Sequence, residues 1–295
     1  MEIRVLKYFL AVAREGNITK AAEILHITQP TLSRQLMQLE DELGAALFER
    51  GKRKIILTEA GMLLKRRAEE IISLSEKTEM EISYQDNEVS GDIVLACGIT
   101  EATKTMGQYI QKFKSIYPDV SFHVRNGNSD FIIENIDNGL VDIGFVLEPV
   151  NLEKLNFLRM NKVERYGILT KKDSFLAQKE YIVPEDLKDV PLINTSRRET
   201  QNQFKKWMGS DYHQLNFVAV SELTTTAAIL VSNNIGHAIV VEGSINFAAD
   251  EGLCFRPFYP ELTTTSLIVW KKYQSFGFTV SKFIDFIEKE IKENR

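Results

Sequence analysis

A short stretch near the N-terminus combines side chains that can read a nucleic acid. Apart from one methionine they are polar, and they are Gln29, Thr31, Ser33, Arg34, Met37 and Gln38. Amide, hydroxyl and guanidinium groups can bond to base edges in the major groove and to phosphate oxygens. The same pattern is also typical of the solvated face of an ordinary small helical domain, because polar helix faces are common. These residues alone leave both interpretations open.

The element that carries this polar face is predicted to be a helix with a well-marked start. Thr28 is a favourable N-cap, and Pro30 falls in the first turn, where its missing N–H group does no harm. Ile27 and Leu32 occupy the two positions of a hydrophobic staple. Leucines then recur at steps of +4, +3 and +4, which predicts a buried stripe of Leu32, Leu36, Leu39 and Leu43.

Two further helices are predicted before this one. Apolar residues recur at helical spacing from Leu6 to Ala13, and Gly16 ends that helix. A second, short helix runs from Thr19 to Leu25, and residues 26–27 form the turn that follows. A short helix, a tight turn and a stapled helix together make the helix-turn-helix pattern.

A basic turn follows the helices. Two short apolar runs, Leu47-Phe48 and residues 55–57, flank a glycine-containing segment, which predicts a β-hairpin. The cations of this segment are Arg50, Lys52, Arg53 and Lys54. A cationic hairpin tip beside a helix-turn-helix makes a winged arrangement that can clamp the phosphate backbone, although any one of these residues could simply be solvated.

A long helix is predicted from Thr58, its cap, to about Tyr84. Its apolar or small residues step by 4, 3, 4, 3 and 4, a heptad seam made of Leu64, Ala68, Ile71, Ser75, Thr78 and Ile82. We interpret this helix as a dimerising connector. Residues 86–91 break the pattern and mark a domain boundary.

From residue 92 the pattern changes to alternating strands and helices. The apolar run 93–99 is typical of a strand buried on both faces, and a helix ending before Pro118 follows. A similar block recurs over residues 165–241, so we expect two α/β subdomains. The strand Ser266–Lys271 and the helix Val280–Ile291 have no partner in the second block. They could return to complete the first, which would give two crossings and a hinge.

Charge is distributed unevenly along the chain. The 295 residues include 36 Lys and Arg against 41 Asp and Glu, a net charge of −5. Residues 1–67 hold 12 basic and 8 acidic residues, a local net charge of +4, and the remainder carries −9. Because polyanion binding depends on the local basic surface, the average does not exclude a nucleic-acid partner for the N-terminal part.

Several classes of protein and site are disfavoured. No run of about 18 apolar residues occurs, and charges are scattered through the first 16 residues, so we expect no membrane span, no secretory signal and a cytoplasmic location. Cys97 and Cys254 lie far apart without His or Cys neighbours, and we expect no disulfide scaffold, metal or cofactor. They lack the spacing and basic neighbours of a redox sensor, and we interpret them as small core residues.

Two other functions fit the sequence less well. The histidines (His26, His123, His213 and His237) stand singly, and no nucleophile-elbow, P-loop or zinc-protease spacing is present, so we do not expect an enzyme. A stand-alone solute-binding protein would explain residues 92–295 but not the N-terminal block.

The N-terminal residues resemble the LysR-type transcriptional regulators. The resemblance is carried by residues 9–13, 21–22, 28–35, 39–40, 43–44, 47–50 and 57–61, and more loosely afterwards by Pro118, residues 142–145, the segment around Gly236 and the closing helix. It implies a winged helix-turn-helix over residues 1–58, a linker helix over 59–88 and a two-lobed, periplasmic-binding-protein-like α/β effector domain over 89–295. Lobe I would comprise about 89–161 and 267–295, and lobe II about 162–266.

The resemblance also implies partners and DNA contacts. LysR-type regulators form dimers, usually paired into tetramers, which bind inverted-repeat operators, respond to a small-molecule coinducer and can contact RNA polymerase. The family's base and backbone readers correspond to Thr28, Gln29, Pro30, Thr31, Ser33 and Arg34, and its wing contacts to Arg50 and Arg53, with Lys52 and Lys54 as phosphate partners. One difference is the wing glycine, Gly51, which stands one place earlier than in the family pattern.

For the effector, the resemblance implies a cleft between the lobes. Residues of lobe I there would be Thr100, Glu101, Thr103, Asn128 and Ser129, and those of lobe II Thr195 and Ser196, with Arg197 beside them. Hydroxyls, amides and helix N-termini suit a small anion. Thr100, Ser129 and Ser196 could equally be plain N-caps. Glu101 is unusual in a pocket for carboxylates, and either points away or selects a ligand with an amino or hydroxyl group.

Overall fold

The computed structural model describes residues 1–50, 55–83, 88–247 and 252–293. The chain divides into two compact units, residues 1–85 and 86–295, and each is described by itself. The predicted linker helix therefore belongs to the N-terminal unit.

The N-terminal unit contains the predicted helix-turn-helix. Its elements are α1 (Ile3–Glu15), α2 (Ile18–Ile24), α3 (Gln29–Leu43), β1 (Phe48–Arg50), β2 (Ile55–Leu57) and α4 (Glu59–Ser83). The strands β1 and β2 pair antiparallel, which confirms the hairpin. Phe9, Leu32 and Leu36 are buried in the shared core of α1, α2 and α3. The predicted leucine stripe ends at Leu39, one leucine early, because the side chain of Leu43 is 43% exposed.

The heptad seam predicted along α4 is wrong in its first two members. Ala68 is fully buried and Leu64 is packed against the same core as Phe9, so both face the unit's own interior. Among the α4 side chains that the structure describes, the exposed large apolar ones are Met62, Leu63, Ile71 and Leu74. Because a helix of 25 residues has several faces, the small residues that suit a dimer seam can also receive a neighbouring helix.

The C-terminal unit has the predicted α/β character. Its strands are β3 (Gly91–Cys97), β4 (Val120–Asn126), β5 (Ile143–Leu147), β6 (Leu155–Lys171), β7 (Pro191–Thr195), β8 (Asn216–Ser221), β9 (His237–Val241), β10 (Leu253–Pro257) and β11 (Thr263–Lys271). Its α-helices are α5 (Glu101–Ile116), α6 (Ser129–Asp137), α7 (Arg198–Met208), α8 (Thr224–Ser232) and α9 (Phe278–Glu293).

Strand pairing divides this unit into two lobes. The order is β4-β3-β5-β11-β6-β9-β7-β8, and β10 also pairs with β6. We call the part built on β3, β4 and β5 the first lobe, and the part built on β7, β8, β9 and β10 the second lobe. The strands β6 and β11 pass between the lobes side by side, and β11 pairs with β5. The predicted return of the C-terminal strand to the first lobe is therefore confirmed.

One glycine fixes the junction between the hairpin and α4. A Cβ atom on Gly61 would lie 2.1 Å from the carbonyl oxygen of Leu47, which already accepts a bond from Thr58 N at 3.1 Å. The side chain of Thr58 caps α4 by accepting from Gly61 N at 3.0 Å and also donates to Ala46 O at 2.7 Å. The carbonyl therefore has little freedom to move away.

Gly61→Ala is expected to destabilise the N-terminal unit by about 1–3 kcal/mol, because the added methyl group has no room. The matched control is Gly107→Ala in α5, where a Cβ meets nothing within 4 Å. That change should leave stability unchanged or raise it by about 0.5–1 kcal/mol. Urea unfolding of the full chain, followed by circular dichroism, measures both. Equal effects of the two substitutions would contradict the packing argument.

Candidate functional site

The exposed face of α3 carries the residues predicted to contact DNA. Thr28, Gln29, Pro30 and Arg34 are exposed, and Thr31 and Ser33 are half-buried. Met37 and Gln38 continue the exposed face towards the helix end. The hydroxyls of Thr28 and Thr31 lie 2.8 Å apart. The arrangement presents several hydrogen-bonding groups around the helix N-terminus, which suits an anionic partner.

Thr28 does not cap α3 in the way that the sequence predicts. Its backbone is extended as a cap requires, and its carbonyl accepts from Leu32 N at 3.1 Å. Its hydroxyl makes no side-chain cap bond and pairs with the hydroxyl of Thr31 instead. Two short hydroxyl side chains at this spacing can bond each other, and in this protein that bond replaces the predicted cap bond.

The carboxylate of Glu40 links α3 to the start of the hairpin. Glu40 Oε1 accepts bonds from Leu47 N at 2.6 Å and Phe48 N at 3.2 Å. Arg50 is the last residue of β1, and nothing is described of its side chain. The predicted wing cations Lys52, Arg53 and Lys54, with Gly51, lie outside the described residues.

A cavity of about 120 Å³ lies between the two lobes of the C-terminal unit. The first lobe supplies Gly98, Ile99, Thr100, Asn128, Ser129 and Leu147, among others. The second lobe and the crossing strand β6 supply Tyr166, Thr195, Arg197, Thr200, Ile239 and Ser244, among others. The wall therefore combines apolar side chains, such as Ile99, Leu147 and Ile239, with a larger number of polar residues.

Four of the residues predicted to bind an effector lie on this wall: Thr100, Asn128, Ser129 and Thr195. Most of their side-chain oxygens already accept bonds from nearby backbone groups. Thr100 Oγ1 accepts from Ala102 N at 3.2 Å, and Asn128 Oδ1 accepts from Phe131 N at 2.9 Å. Ser129 Oγ accepts from Leu147 N at 3.1 Å, and Thr195 Oγ1 from Arg197 N at 3.3 Å. The capping role that the sequence left open is thus present at Thr100, whereas Ser129 holds a strand rather than a helix.

The other three predicted effector residues do not line the cavity. The hydroxyl of Thr103 donates to Gly98 O at 2.8 Å and accepts from Thr100 N at 3.2 Å, which completes a capping box. The oxygen Ser196 Oγ is buried and has no partner among the described residues. Glu101 instead pairs with two lysines, Lys104 at 2.7 Å and Lys162 at 2.6 Å.

These lysines account for the electrostatics of Glu101. Hydrogen bonds from Lys104 and then Lys162 lower the pKa of Glu101 to about 2. Of the two possibilities that the sequence left open for Glu101, the structure favours the one in which the side chain points away from the ligand site. Lys162 lies on β6, so the pair also ties the start of α5 to a crossing strand.

Five polar residues on the wall were not predicted from the sequence: Tyr166, Thr200, Glu222, Thr224 and Ser244. The hydroxyl of Tyr166 lies 3.4 Å from Thr200 Oγ1, and both residues are buried. Tyr166 comes from β6 and Thr200 from the first turn of α7. No local motif marks either position, because only the crossing of the strands brings them to the cavity.

A buried carboxylate lies where the strands cross. Glu164 on β6 is 4% exposed, and its Oε1 accepts from Ser266 Oγ of β11 at 3.0 Å. Its Oε2 accepts from Glu101 N at 3.3 Å. A Cβ atom on Gly243 of the second lobe would lie 2.3 Å from Glu164 Oε2, so the glycine allows close approach. Burial raises the pKa of the Glu164 carboxyl.

Comparison with known families explains both units. The family model "Bacterial regulatory helix-turn-helix protein, lysR family" matches residues 3–62, and "LysR substrate binding domain" matches residues 86–292. The second match alone covers more than half of the chain. The chain belongs to the LysR family. It is a DNA-binding transcriptional regulator with an effector-binding domain, of a family whose members bind DNA and small-molecule effectors and self-associate.

Similar LysR-family proteins cover most of the chain. The HTH-type transcriptional regulator BsdA of Bacillus subtilis is 29% identical over 245 residues, 81% of this chain and 83% of its own. The Hca operon transcriptional activator HcaR of Escherichia coli is 28% identical over 279 residues, 92% of each chain. These relatives are named as regulators of transcription.

Solved structures of the LysR family share the fold. The crystal structure of CbnR matches with a TM-score of 0.74 at 20% identity and covers 99% of both chains. Full-length CbnR in complex with its target DNA matches with a TM-score of 0.72 at 21% identity, over 98% of this chain and 99% of CbnR. The predicted fold class, a helix-turn-helix followed by a two-lobed α/β domain, is confirmed.

The remaining sequence expectations concern membranes, metals and cysteines. In the described part of the chain, no helix is long and apolar enough to cross a membrane. Over the same residues, no group of three or more His, Cys, Asp or Glu is arranged to hold a metal ion. Cys97 is buried in β3, where burial raises the pKa of its thiol, and Cys254 is half-buried in β10.

Glu164→Gln is expected to stabilise this LysR-type domain at neutral pH relative to the parent. A carboxyl whose pKa is raised by burial binds a proton more readily in the folded than in the unfolded chain. The parent therefore loses stability as the pH rises from the ordinary glutamate value through the raised pKa of Glu164. The amide can keep both bonds, by accepting from Glu101 N and donating to Ser266 Oγ.

The measurement is the free energy of unfolding against pH, with Glu153→Gln, at an exposed site, as the control for loss of charge. The gain of Glu164→Gln over the parent should be smallest in acid and grow with pH. A gain that does not depend on pH would count against a buried, desolvated carboxylate.

Proposed function

We propose that this regulator binds an inverted-repeat operator as a dimer or a pair of dimers, with α3 in the major groove. The observation that carries the proposal is the exposed polar face at the start of α3, where Gln29 and Arg34 are free of the core. Arg34 suits a guanine edge or a phosphate, and Ser33 suits either a base or a phosphate. Thr28, Pro30 and Thr31 surround the helix N-terminus and would position it on the backbone.

The wing supplies the backbone clamp in this proposal. Arg50, Lys52, Arg53 and Lys54 place four cations in five residues next to β1 and β2. Cations at this position neutralise phosphates and add affinity without sequence preference. The fold is similar to that of CbnR, whose structure was solved with its target DNA, and this similarity supports DNA binding by the N-terminal unit.

Self-association is assigned to α4. This helix has exposed apolar side chains that water does not solvate well, those of Met62, Leu63, Ile71 and Leu74. A second copy of α4 would cover them and bring two copies of α3 to one operator. Two-fold symmetry of the protein then matches the two-fold symmetry of an inverted repeat.

The cavity between the lobes is proposed as the effector site. Its wall is shared by both lobes, so a ligand that contacts both favours the arrangement in which they are close. The strands β6 and β11 are the hinge about which the lobes would move. Such a movement would change how paired dimers hold the DNA and contact RNA polymerase.

Arg34→Ala is expected to lower specific operator affinity by roughly tenfold or more, and Ser33→Ala to lower it less, since a charge-assisted contact is the stronger one. The probe is a duplex selected from random DNA by the parent protein, and fluorescence anisotropy reports binding. Arg66→Ala, an exposed arginine on α4, is the control of equal charge. Parent-like specific affinity for both α3 variants, with intact circular dichroism, would contradict the assignment of α3.

Ile99→Trp is expected to abolish stabilisation by an effector, because Ile99 lines the cavity and the larger side chain takes its space. A ligand at about 100 times its Kd stabilises the parent by roughly 2.7 kcal/mol, which thermal unfolding detects in a metabolite screen. Ile116→Trp at an exposed position is the matched control. A ligand that stabilises Ile99→Trp as well as the parent would place the effector site elsewhere.

A further inference from the structure

The cavity between the lobes has an unusual charge. Among the described residues that line it, Arg197 and Glu222 carry charge, and Glu222 is exposed. Arg197 is only 6% exposed, so its cation is largely removed from water. A buried cation is normally paired with an anion or fully hydrogen-bonded, since desolvating a charge is expensive.

The hydrogen bonds of Arg197 do not meet that requirement. Its Nη2 donates to the carbonyl oxygen of Pro149, in the segment that follows β5 of the first lobe. Its Nε and Nη1 are buried and have no hydrogen-bond partner among the described residues. The nearest carboxylate oxygen recorded is Asp130 Oδ1, at 3.9 Å from Nε, which is too far for a hydrogen bond.

The geometry of guanidinium shows what could complete this site. Nε carries one hydrogen, and each Nη carries two. Whichever hydrogen of Nη2 is used for Pro149, one pair of parallel donors remains, either Nε with Nη2 or Nη1 with Nη2. A carboxylate binds such a pair with both oxygens, in short charge-assisted bonds.

We propose that the effector is a compact monocarboxylate whose carboxylate binds the guanidinium of Arg197. This inference rests on the proposed effector site and names the chemical class of its ligand. One negative charge neutralises the one buried cation, whereas a doubly charged phosphate would leave a charge unpaired. The rest of the ligand includes an apolar part, because Phe145, Leu147, Ile239 and Val240 contribute apolar surface to the wall.

The size of the ligand follows from the volume of the cavity. A cavity of roughly 150 Å³ holds a benzene molecule, and this one encloses about 120 Å³. The part of the ligand that fills the cavity is therefore no larger than a benzene ring or a short branched or linear chain. Thr200 and Tyr166 add hydroxyl groups for a substituent.

The same residue connects ligand binding to lobe closure. Arg197 belongs to the second lobe, and both Pro149 and Asp130 belong to the first. A carboxylate on Arg197 would satisfy donors at the point where the lobes already meet. Binding therefore favours the closed arrangement, which is the differential affinity that a regulator needs.

The test is calorimetric titration of the full-length protein with benzoate, butyrate, benzamide, butyramide and inorganic phosphate. The amides keep the shapes of the acids without the charge. At least one acid is expected to bind more tightly than its amide and than phosphate. Arg197→Gln should lower the affinity for that acid by about tenfold or more. Arg198→Gln, an exposed arginine next in sequence, should leave it unchanged.

Arg197→Lys keeps the positive charge but not the pair of parallel donors. Its affinity for the acid is expected to lie between that of the parent and that of Arg197→Gln. Circular dichroism and thermal unfolding confirm that the variants are folded. The proposal is overturned if no acid binds the parent, if acid and amide bind equally, or if Arg197→Gln binds the acid as the parent does.

The variant Ile99→Trp separates this proposal from the proposed effector site. If Ile99→Trp no longer binds an acid that Arg197→Gln still binds, the cavity is the ligand site and the carboxylate inference is wrong. If the acid depends on Arg197 but not on Ile99, the charge assignment is supported and the position of the effector within the cavity is wrong.

Discussion

The fold of the C-terminal unit depends on one pair of strands that crosses between its lobes. The strands β6 and β11 pair from Thr263 opposite Arg165 to Lys271 opposite Leu155, with an irregularity between Thr265 and Leu267. Their backbone groups satisfy each other, so neither strand can leave without exposing unpaired N–H and C=O groups. The cavity lies beside this ladder, and β6 itself supplies Tyr166 to its wall. The position of the cavity and part of its lining therefore come from this strand pairing, as would the hinge proposed above.

Most elements were predictable from the sequence because their signals are local. The cap at Thr58, the stop at Gly16 and the two successive α/β blocks each depend on residues close in sequence, and the structure has all of them. The length of β6 was predicted poorly. Its residues 161–163 are exposed between the lobes and lack the apolar pattern of a buried strand, so only its second half was recognised. The strand β10 was missed for a similar reason, since four of its five residues are only half-buried.

The candidate site was predicted in part, and the division follows the same principle. The resemblance to the LysR family leads to Thr100, Asn128, Ser129 and Thr195, which lie at helix starts and strand ends that a motif can mark. The resemblance does not show that the side-chain oxygens of these residues already accept bonds from backbone N–H groups. These residues therefore shape the cavity more than they offer free hydrogen-bonding groups to a ligand. Unpaired donors on the cavity wall belong to Arg197, which also donates to the carbonyl of Pro149, a residue distant in sequence. Specificity in such a cavity is set by the groups that the fold leaves unsatisfied.

In the DNA-binding unit, the groups that hold α3 and the hairpin in place, including the carboxylate of Glu40, are separate from the exposed polar face. This carboxylate joins the end of α3 to the first strand of the hairpin, while the leucines of α3 hold the helix against the core. None of these groups lies on the exposed polar face. If the exposed face of α3 reads the operator as proposed, a lineage can exchange its residues, and with them the preferred operator, while the interior of the unit stays constant. Diversification of target sites across such a family needs no compensating change in the interior.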